Sequence, residues 1–448
     1  MLCHYEGQTV TLKRRTGNFA MLLRFRFSNF RSIRDEQEFS MIAARSKTAS
    51  DDDMHVRRVE NLKEGVLTAA GIYGANGSGK TNVLRALSFM KQAVEESHRS
   101  WKPDGGVPLD RFRLNREALN DGSRMVVDFL QGGIRHEYGF VADSAAIREE
   151  WLYVYPNNKK QTWFMRRQGT AMSFSDRMPG ENRVIETLMR PNSLFLSTAA
   201  QNNHDALTRV YRWFSERLQY VTSERSTRSS VKICAHPDVR QVLSQLMHEA
   251  DLGLTEVRLR PSNVSNPFKD LLQHLAQLKE SPEEADSSGL LFTDTIEFVH
   301  GEGNKTTALP LHEESDGTVA FFSLLGPGVT ALAVGGIVLV DELDAHLHPL
   351  LATRVIELFR SPQSNPLGAQ LIFTTHDTNL LRALRRDQIW FTEKNRNGES
   401  SLYPLSDFRT RGNENLESGY LQGRYGAIPY IDSDRLLERL EPVHGKDR

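Results

Sequence analysis

Cysteine is scarce in this chain. Its 448 residues contain two, Cys3 and Cys234, far apart and without metal-ligand spacing. No disulfide framework follows, and a reducing cytoplasm is the expected compartment. An excess of one charge is also missing: 56 Lys and Arg face 57 Asp and Glu, a net charge of -1. No global field therefore draws the chain to nucleic acid or to a membrane. Long apolar runs are nearly absent. The one candidate, Leu324 to Val340, is interrupted by Gly326-Pro327-Gly328 and Gly335-Gly336 and ends on Asp341-Glu342. It reads as a helix running into a buried strand, not as a membrane span. Sustained heptads are missing too. The stretch from Asn202 to Leu309 contains Pro237, Pro261, Pro267 and Pro282, which excludes a long coiled-coil arm. Residues 1–20 carry Lys13, Arg14 and Arg15 without an apolar core, so they are no secretory signal.

What is present centres on one glycine loop. An apolar run ends at Gly74, and Asn82 to Met90 follows with helical apolar spacing. Between them stands Gly74-x-x-x-x-Gly79-Lys80-Thr81, the phosphate-loop pattern in its strand–loop–helix context. Glycines let the backbone amides of Asn76, Gly77, Ser78 and Gly79 turn toward phosphates, and the helix N-terminus adds a favourable dipole. Lys80 supplies a point charge for the β- and γ-phosphates, and the Thr81 hydroxyl suits Mg²⁺. Further along, Gly336-Ile-Val-Leu-Val-Asp341-Glu342 is an apolar strand ending in two carboxylates. This is the Walker B pattern: Asp341 holds Mg²⁺ and Glu342 is the general base for an attacking water. A third apolar strand, Gln370 to Thr375, ends at His376. The distance from Lys80 to Asp341 is too long for a small GTPase, and no Asn-Lys-x-Asp guanine reader occurs, so ATP is the expected nucleotide.

Two weaker signals accompany these. Glu314-Ser-Asp-Gly-Thr318 precedes a helical apolar stretch, and a serine and glycine opening a helix make an anion site, though the same residues also mark a plain capped turn. Asn192 to Gln201 reads as a strand closing on a glutamine. Ala345-His-Leu-His348 leaves a metal reading open, as a minor alternative.

In this order the motifs resemble those of bacterial ABC-type ATPases related to the overcoming-lysogenization-defect (OLD) and RecF proteins. The resemblance is carried by Phe27-Ser-Asn-Phe-Arg-Ser32, Gly74 to Thr81, Leu196 to Gln201, Glu314 to Thr318, Asp341 to Pro349, Thr374-Thr-His-Asp377 and Gly423 to Pro429. It spans nearly the whole chain from Met21. It implies a head-type P-loop NTPase fold: an α/β mixed sheet with flanking helices, an antiparallel β subdomain, a compact helical lobe and no long coiled coil. It implies ATP and Mg²⁺ as ligands, with Lys80, Glu342 and His376 catalytic and Thr81, Asp341 and Gln201 at the metal. Gln201 falls where such heads carry their Q-loop. Arg31 and Asn82 are further nucleotide contacts by the same resemblance, and Ser315, Gly317 and Thr318 would act in trans across a dimer closed on ATP.

The implied organisation is an N-terminal extension (1–20), a first ATPase lobe (21–201), a helical insert (202–310) and a second lobe (311–448). A helix over Pro267 to Leu278, an exposed loop over Glu280 to Ser288 and a strand near Leu291 to Val299 are expected in the insert. OLD-type proteins carry a nuclease domain after the ATPase; only about seventy residues follow His376, too few for one. The resemblance is thus to stand-alone ATPases of anti-phage defence systems such as PARIS, Septu and retrons, with a separately encoded effector nuclease as partner. A DNA-binding repair ATPase and a non-hydrolysing assembly scaffold are the alternative expectations.

Overall fold

A computed structural model of the chain describes residues 19–44, 56–59, 62–115, 121–260, 296–301, 305–409 and 415–428. Strands β1 (Leu22–Ser28) and β2 (Gln37–Ser40) come first, then the short pair β3 (Val56–Arg57) and β4 (Val66–Leu67), then β5 (Ala69–Tyr73). Helix α1 (Lys80–Glu96) leads to β6 (Ser123–Gln131), β7 (Ile134–Ala142), β8 (Ile147–Tyr155), β9 (Gln161–Arg167) and β10 (Ser173–Phe174). Three helices follow, α2 (Asn182–Leu188), α3 (Phe195–Gln201) and α4 (Asp205–Arg212), and then β11 (Leu218–Val221). Next are α5 (Ser223–Ile233), α6 (Pro237–Glu249), β12 (Leu254–Leu259), β13 (Ile296–His300) and β14 (Thr307–Pro310). The chain then runs through α7 (Asp316–Val334), β15 (Ile337–Val340), α8 (Pro349–Arg360) and β16 (Gln370–Thr374). It continues with β17 (Ile389–Lys394), β18 (Ser400–Pro404) and α9 (Leu416–Leu421).

Two large sheets result. The core sheet has the order β11-β15-β16-β5-β17-β18. Its first five strands are parallel, and β18 returns antiparallel along the edge. Parallel strands put all their carboxyl ends on one edge, which is where open α/β sheets bind ligands. Both faces are covered, and the side chains divide by the two-residue period of a strand. In β15, Ile337 and Leu339 enter one apolar cluster, while Val338 and Val340 enter the other. The second sheet is antiparallel, β10-β9-β8-β7-β6-β1-β2. In β1, Phe25 and Phe27 face the core, while Arg24 and Arg26 point outward and are half-buried.

Fully buried Gln370 stitches the two sheets together. Its Oε1 accepts the Leu22 amide at 2.6 Å, and its Nε2 donates to the carbonyls of Leu22 (3.0 Å) and Leu67 (2.9 Å). A buried primary amide is tolerated because its polar atoms are satisfied. Helix α7 is the one helix among the described residues long and apolar enough to cross a membrane, and half of that apolar stretch is buried in this fold. It ends on Gly335 at φ 69°, the left-handed cap that glycine adopts without strain.

The expected mixed α/β fold is present, and no long coiled coil occurs among the described residues. Two details differ from expectation. The apolar run before Gln201 is helix α3, not a strand. Its first amides, those of Phe195 and Leu196, donate to the buried Glu150 carboxylate at 2.6 and 3.0 Å, an N-terminal anion that favours helix. The segment 202–310 is not wholly an insert, because β11 leaves it to become the edge strand of the core beside β15. Its remaining described part is α4, then α5 and α6 with a three-stranded antiparallel sheet, β12-β13-β14. Residues 296–300 form a strand as expected, whereas Leu291 to Thr295, the helix at Pro267 to Leu278 and the loop at Glu280 to Ser288 lie outside the described residues. So do residues 1–18 of the expected extension, while Phe19 and Ala20 pack against the core.

Candidate functional site

The loop between β5 and α1 has a shape that glycine permits. Gly74 sits at φ 150°, where an added Cβ would lie 2.4 Å from the Thr392 carbonyl oxygen. Gly79 sits at φ 114° with Ser400 Oγ 2.6 Å from the same imagined atom. Side chains hold the loop from behind. Ser78 shares a 2.6 Å hydrogen bond with Thr392 on β17, and Asn82 donates to Ser32 at 2.8 Å. Asn76 and Gly77 stay exposed at the tip. Lys80 is buried, and its ammonium donates to the carbonyls of Gly74 (2.9 Å) and Ala75 (3.2 Å). Burial is the largest influence on Lys80 and lowers its pKa, opposed by the charges of Glu342, Asp341 and Asp344.

Those carboxylates come from the next strand but one. Asp341 follows β15, and its Oδ1 accepts the hydroxyls of Thr81 (3.0 Å) and Thr374 (2.7 Å). Glu342 is exposed and stands at φ 54°, a left-handed conformation that costs a non-glycine residue about 1–3 kcal/mol. Its amide donates to Thr374 Oγ1 at 2.7 Å. Beyond β16, the His376 amide donates to both Asp344 oxygens, at 3.3 and 3.2 Å. Burial first and then Lys80 lower the His376 pKa, against Asp344, Glu342 and Asp341. The net effect favours the neutral imidazole. Lys80, His376 and three carboxylates thus share one electrostatic neighbourhood at the carboxyl edge of the core sheet.

A nucleoside triphosphate with Mg²⁺ fits these residues. The loop offers a glycine cradle and a cation, and the Thr81 hydroxyl beside Asp341 is a pair of hard oxygen donors of the kind Mg²⁺ takes.

The other expected residues divide. Arg31 pairs with Asp110 at 2.6 Å and remains at the rim, within electrostatic reach of Tyr220, which also feels Asp341. Ser315 caps α7, its Oγ accepting the Thr318 amide at 3.2 Å and lying 2.9 Å from the Thr318 hydroxyl. Ser315 is exposed, and Gly317 packs so closely on the His346 carbonyl that a Cβ would lie 3.0 Å from it. His348 caps α8 by accepting the Leu350 amide at 3.3 Å. Among the described residues no group of three His, Cys, Asp or Glu is placed to hold a metal ion, so the minor metal reading of the His-x-His gains no support.

Gln201 is the misplaced residue. It hydrogen-bonds Tyr211, which feels Glu95 and Arg99 at the far end of α1. A 17-residue helix is about 25 Å long, so Gln201 is not brought to Thr81 and Asp341. The position missed is Tyr220 to Thr222. The parallel register Val221↔Val340 ends β11 level with β15, at the edge where Asp341 follows. Burial foremost and Asp341 next raise the Tyr220 pKa, while a hydrogen bond from Arg85 lowers it. The available signal was the four-residue apolar run Leu218 to Val221, hidden inside a stretch read as helical.

Sheet order, loop and carboxylates together define a P-loop nucleoside-triphosphatase. The family described as "AAA domain, putative AbiEii toxin, Type IV TA system" matches residues 69–382, and the chain belongs to that family. Among solved structures the chain is similar to the SMC head domain from Thermotoga maritima, with 13% identity, 86% of this chain and 98% of that chain covered, and a TM-score of 0.39. It is also similar to an SmcHead bound to the C-winged helix domain of ScpA, with 13% identity, 86% and 97% covered, and a TM-score of 0.38. A third is an Smc head with an extended coiled coil bound to the C-terminal domain of ScpA derived from Pyrococcus furiosus, at 12% identity, 91% and 99% covered, and a TM-score of 0.37. Likenesses this loose have no bearing on function.

Proposed function

We propose that this protein hydrolyses ATP at the edge of its core sheet and, as a dimer closed on ATP, regulates a separate effector in anti-phage defence. The observation that carries the catalytic part is the convergence of Lys80, Asp341, Glu342 and His376 from three separate loops onto one edge. Lys80 exchanges the carbonyls of Gly74 and Ala75 for phosphate oxygens, joined by loop amides at the start of α1. Thr81 and Asp341 would hold Mg²⁺, which would offset negative charge on the phosphates. Glu342, exposed beside them, orients a water molecule and takes its proton as that water attacks the γ-phosphorus and the bond to the bridging oxygen breaks, releasing ADP. His376 donates a hydrogen bond to the phosphoryl oxygens. The sequence has no Asn-Lys-x-Asp guanine reader, which supports ATP as the nucleotide.

The exposed Ser315 at the start of α7 supports a contact with the γ-phosphate held by a second copy. The family description, with its toxin and toxin–antitoxin terms, supports a defensive role in the bacterial cytoplasm, and a separately encoded effector such as a nuclease is the partner this reading calls for. We divide the chain accordingly: a nucleotide-binding head that includes β11, and a lobe from α5 to β14 that reports its state.

The test is the mass and composition of Glu342→Gln purified with ATP and Mg²⁺ from its native operon, with Lys80→Ala as the empty control. An ATP-dependent assembly holding a nuclease-like partner is the expected result. A bare dimer retaining DNA would instead favour repair, and full turnover by Glu342→Gln would remove the catalytic assignment.

A further inference from the structure

We propose that Thr374 is a positioning residue of this site, one hydroxyl that ties the metal-side carboxylate to the general base. The proposal rests on the ATPase reading above and concerns how that site is kept in order.

The core-sheet register Val340↔Phe373 puts Asp341 directly across from Thr374. Thr374 is the last residue of β16 and is fully buried. Its hydroxyl has a single proton, so the directions of its bonds are settled: it accepts the Glu342 amide at 2.7 Å and must donate to Asp341 Oδ1 at 2.7 Å. Its carbonyl accepts the Leu343 amide at 2.9 Å. Three consecutive residues of the carboxylate turn therefore hang on one threonine.

The second donor to Oδ1 is Thr81, which belongs to the phosphate loop and is the hydroxyl suited to Mg²⁺. When Thr81 turns to the metal, Thr374 remains on Oδ1, anchored in a buried strand. The same hydroxyl holds the amide of Glu342 in its left-handed conformation at φ 54°. Losing it would leave that amide without its acceptor and the base without a fixed direction. Packing alone does not need the hydroxyl, because valine fills the same volume.

Thr374→Val and Thr374→Ser in the full chain test this. Binding of a fluorescent ATP analogue is measured in EDTA and in Mg²⁺, and kcat and KM are measured for ATP. In EDTA, Thr374→Val should bind within about 3-fold of wild type, while the tightening caused by Mg²⁺ and kcat each fall about 10- to 100-fold, more than KM changes. Thr374→Ser should stay within about 3-fold of wild type throughout. Unchanged Mg²⁺ response and kcat in Thr374→Val would overturn the proposal, and so would a serine variant as damaged as the valine one. If Thr374→Val does not fold, Thr374→Cys, with its weak donor, must show the same losses. A wild type that never hydrolyses ATP would sink the ATPase reading, and the Mg²⁺-dependent binding would still decide the role of Thr374.

Discussion

Glu150 and Asp341 are both acids held by hydrogen bonds within large sheets, and they differ in who holds them. Glu150 lies in the antiparallel sheet with no solvent exposure. It accepts the amides of Phe195 and Leu196 and the Tyr138 hydroxyl (3.0 Å), and Arg166 stands 3.7 Å away. Burial raises its pKa above the usual carboxylate range even against those partners. Asp341 is partly exposed at a strand end, and its hydrogen bonds are two hydroxyls on one oxygen. One of those hydroxyls is on a loop built to meet phosphate. Fixed amides and a buried arginine make a carboxylate structural. An exchangeable hydroxyl at a solvent edge makes one available for chemistry.

Mutations separate the two regions. The largest effect belongs to the edge: Glu342→Gln should lower kcat about 10²- to 10⁴-fold with an unchanged melting temperature, read by phosphate release. Equal loss of melting temperature and turnover would erase the distinction. In the antiparallel sheet the pattern should invert. Glu150→Ala leaves buried Arg166 without its counter-charge, though still bonded to the Ser193 and Pro191 carbonyls, and strips the acceptor from the Phe195 and Leu196 amides; it should cost about 3–5 kcal/mol of stability, read by urea denaturation, while ATP turnover per folded molecule stays near wild type.

A pH dependence sharpens the same contrast. His136, buried against Phe129 in the antiparallel sheet, has its pKa lowered to about 4, chiefly by burial. The unfolded chain therefore binds the extra proton first, so stability is full above about 6.5 and is lost as pH falls toward 4, by about 3 kcal/mol in all. Urea midpoints at neutral pH and near pH 4 should show this slope in the wild type and much less of it in His136→Phe. The smallest effect is expected at the rim. Glu417 of α9 accepts the Thr378 hydroxyl at 3.2 Å and pairs with Arg382 at 2.5 Å, beside the loop of His376. Because Arg382 is 70% exposed, Glu417→Ala should cost under about 1 kcal/mol and leave kcat almost unchanged. A large drop in kcat would make the C-terminal segment part of the site.

Legibility followed the range of the contacts. The phosphate loop needs consecutive residues, with glycines where the backbone turns and Lys80 and Thr81 at the helix start, so its sequence pattern carries its geometry. The strand ending in Asp341 and Glu342 is local in the same way. The apolar run before Gln201 has no period long enough to separate strand from buried helix. The distant Glu150 carboxylate meets the first amides of α3, and the run is a helix.

By itself, then, the sequence determined the elements whose shape depends on neighbouring residues: the glycine loop, the two-acid strand end and the capped start of α7 at Ser315. Tertiary structure alone decided which distant elements meet: β11 beside β15, which brings Tyr220 within electrostatic reach of Asp341, Gln201 at the far end of α1, and the Thr374 hydroxyl between Asp341 and Glu342. The reason is physical. A turn or cap is set by bonds a few residues long, whereas strand register and buried hydrogen-bond partners are chosen only when the whole core closes.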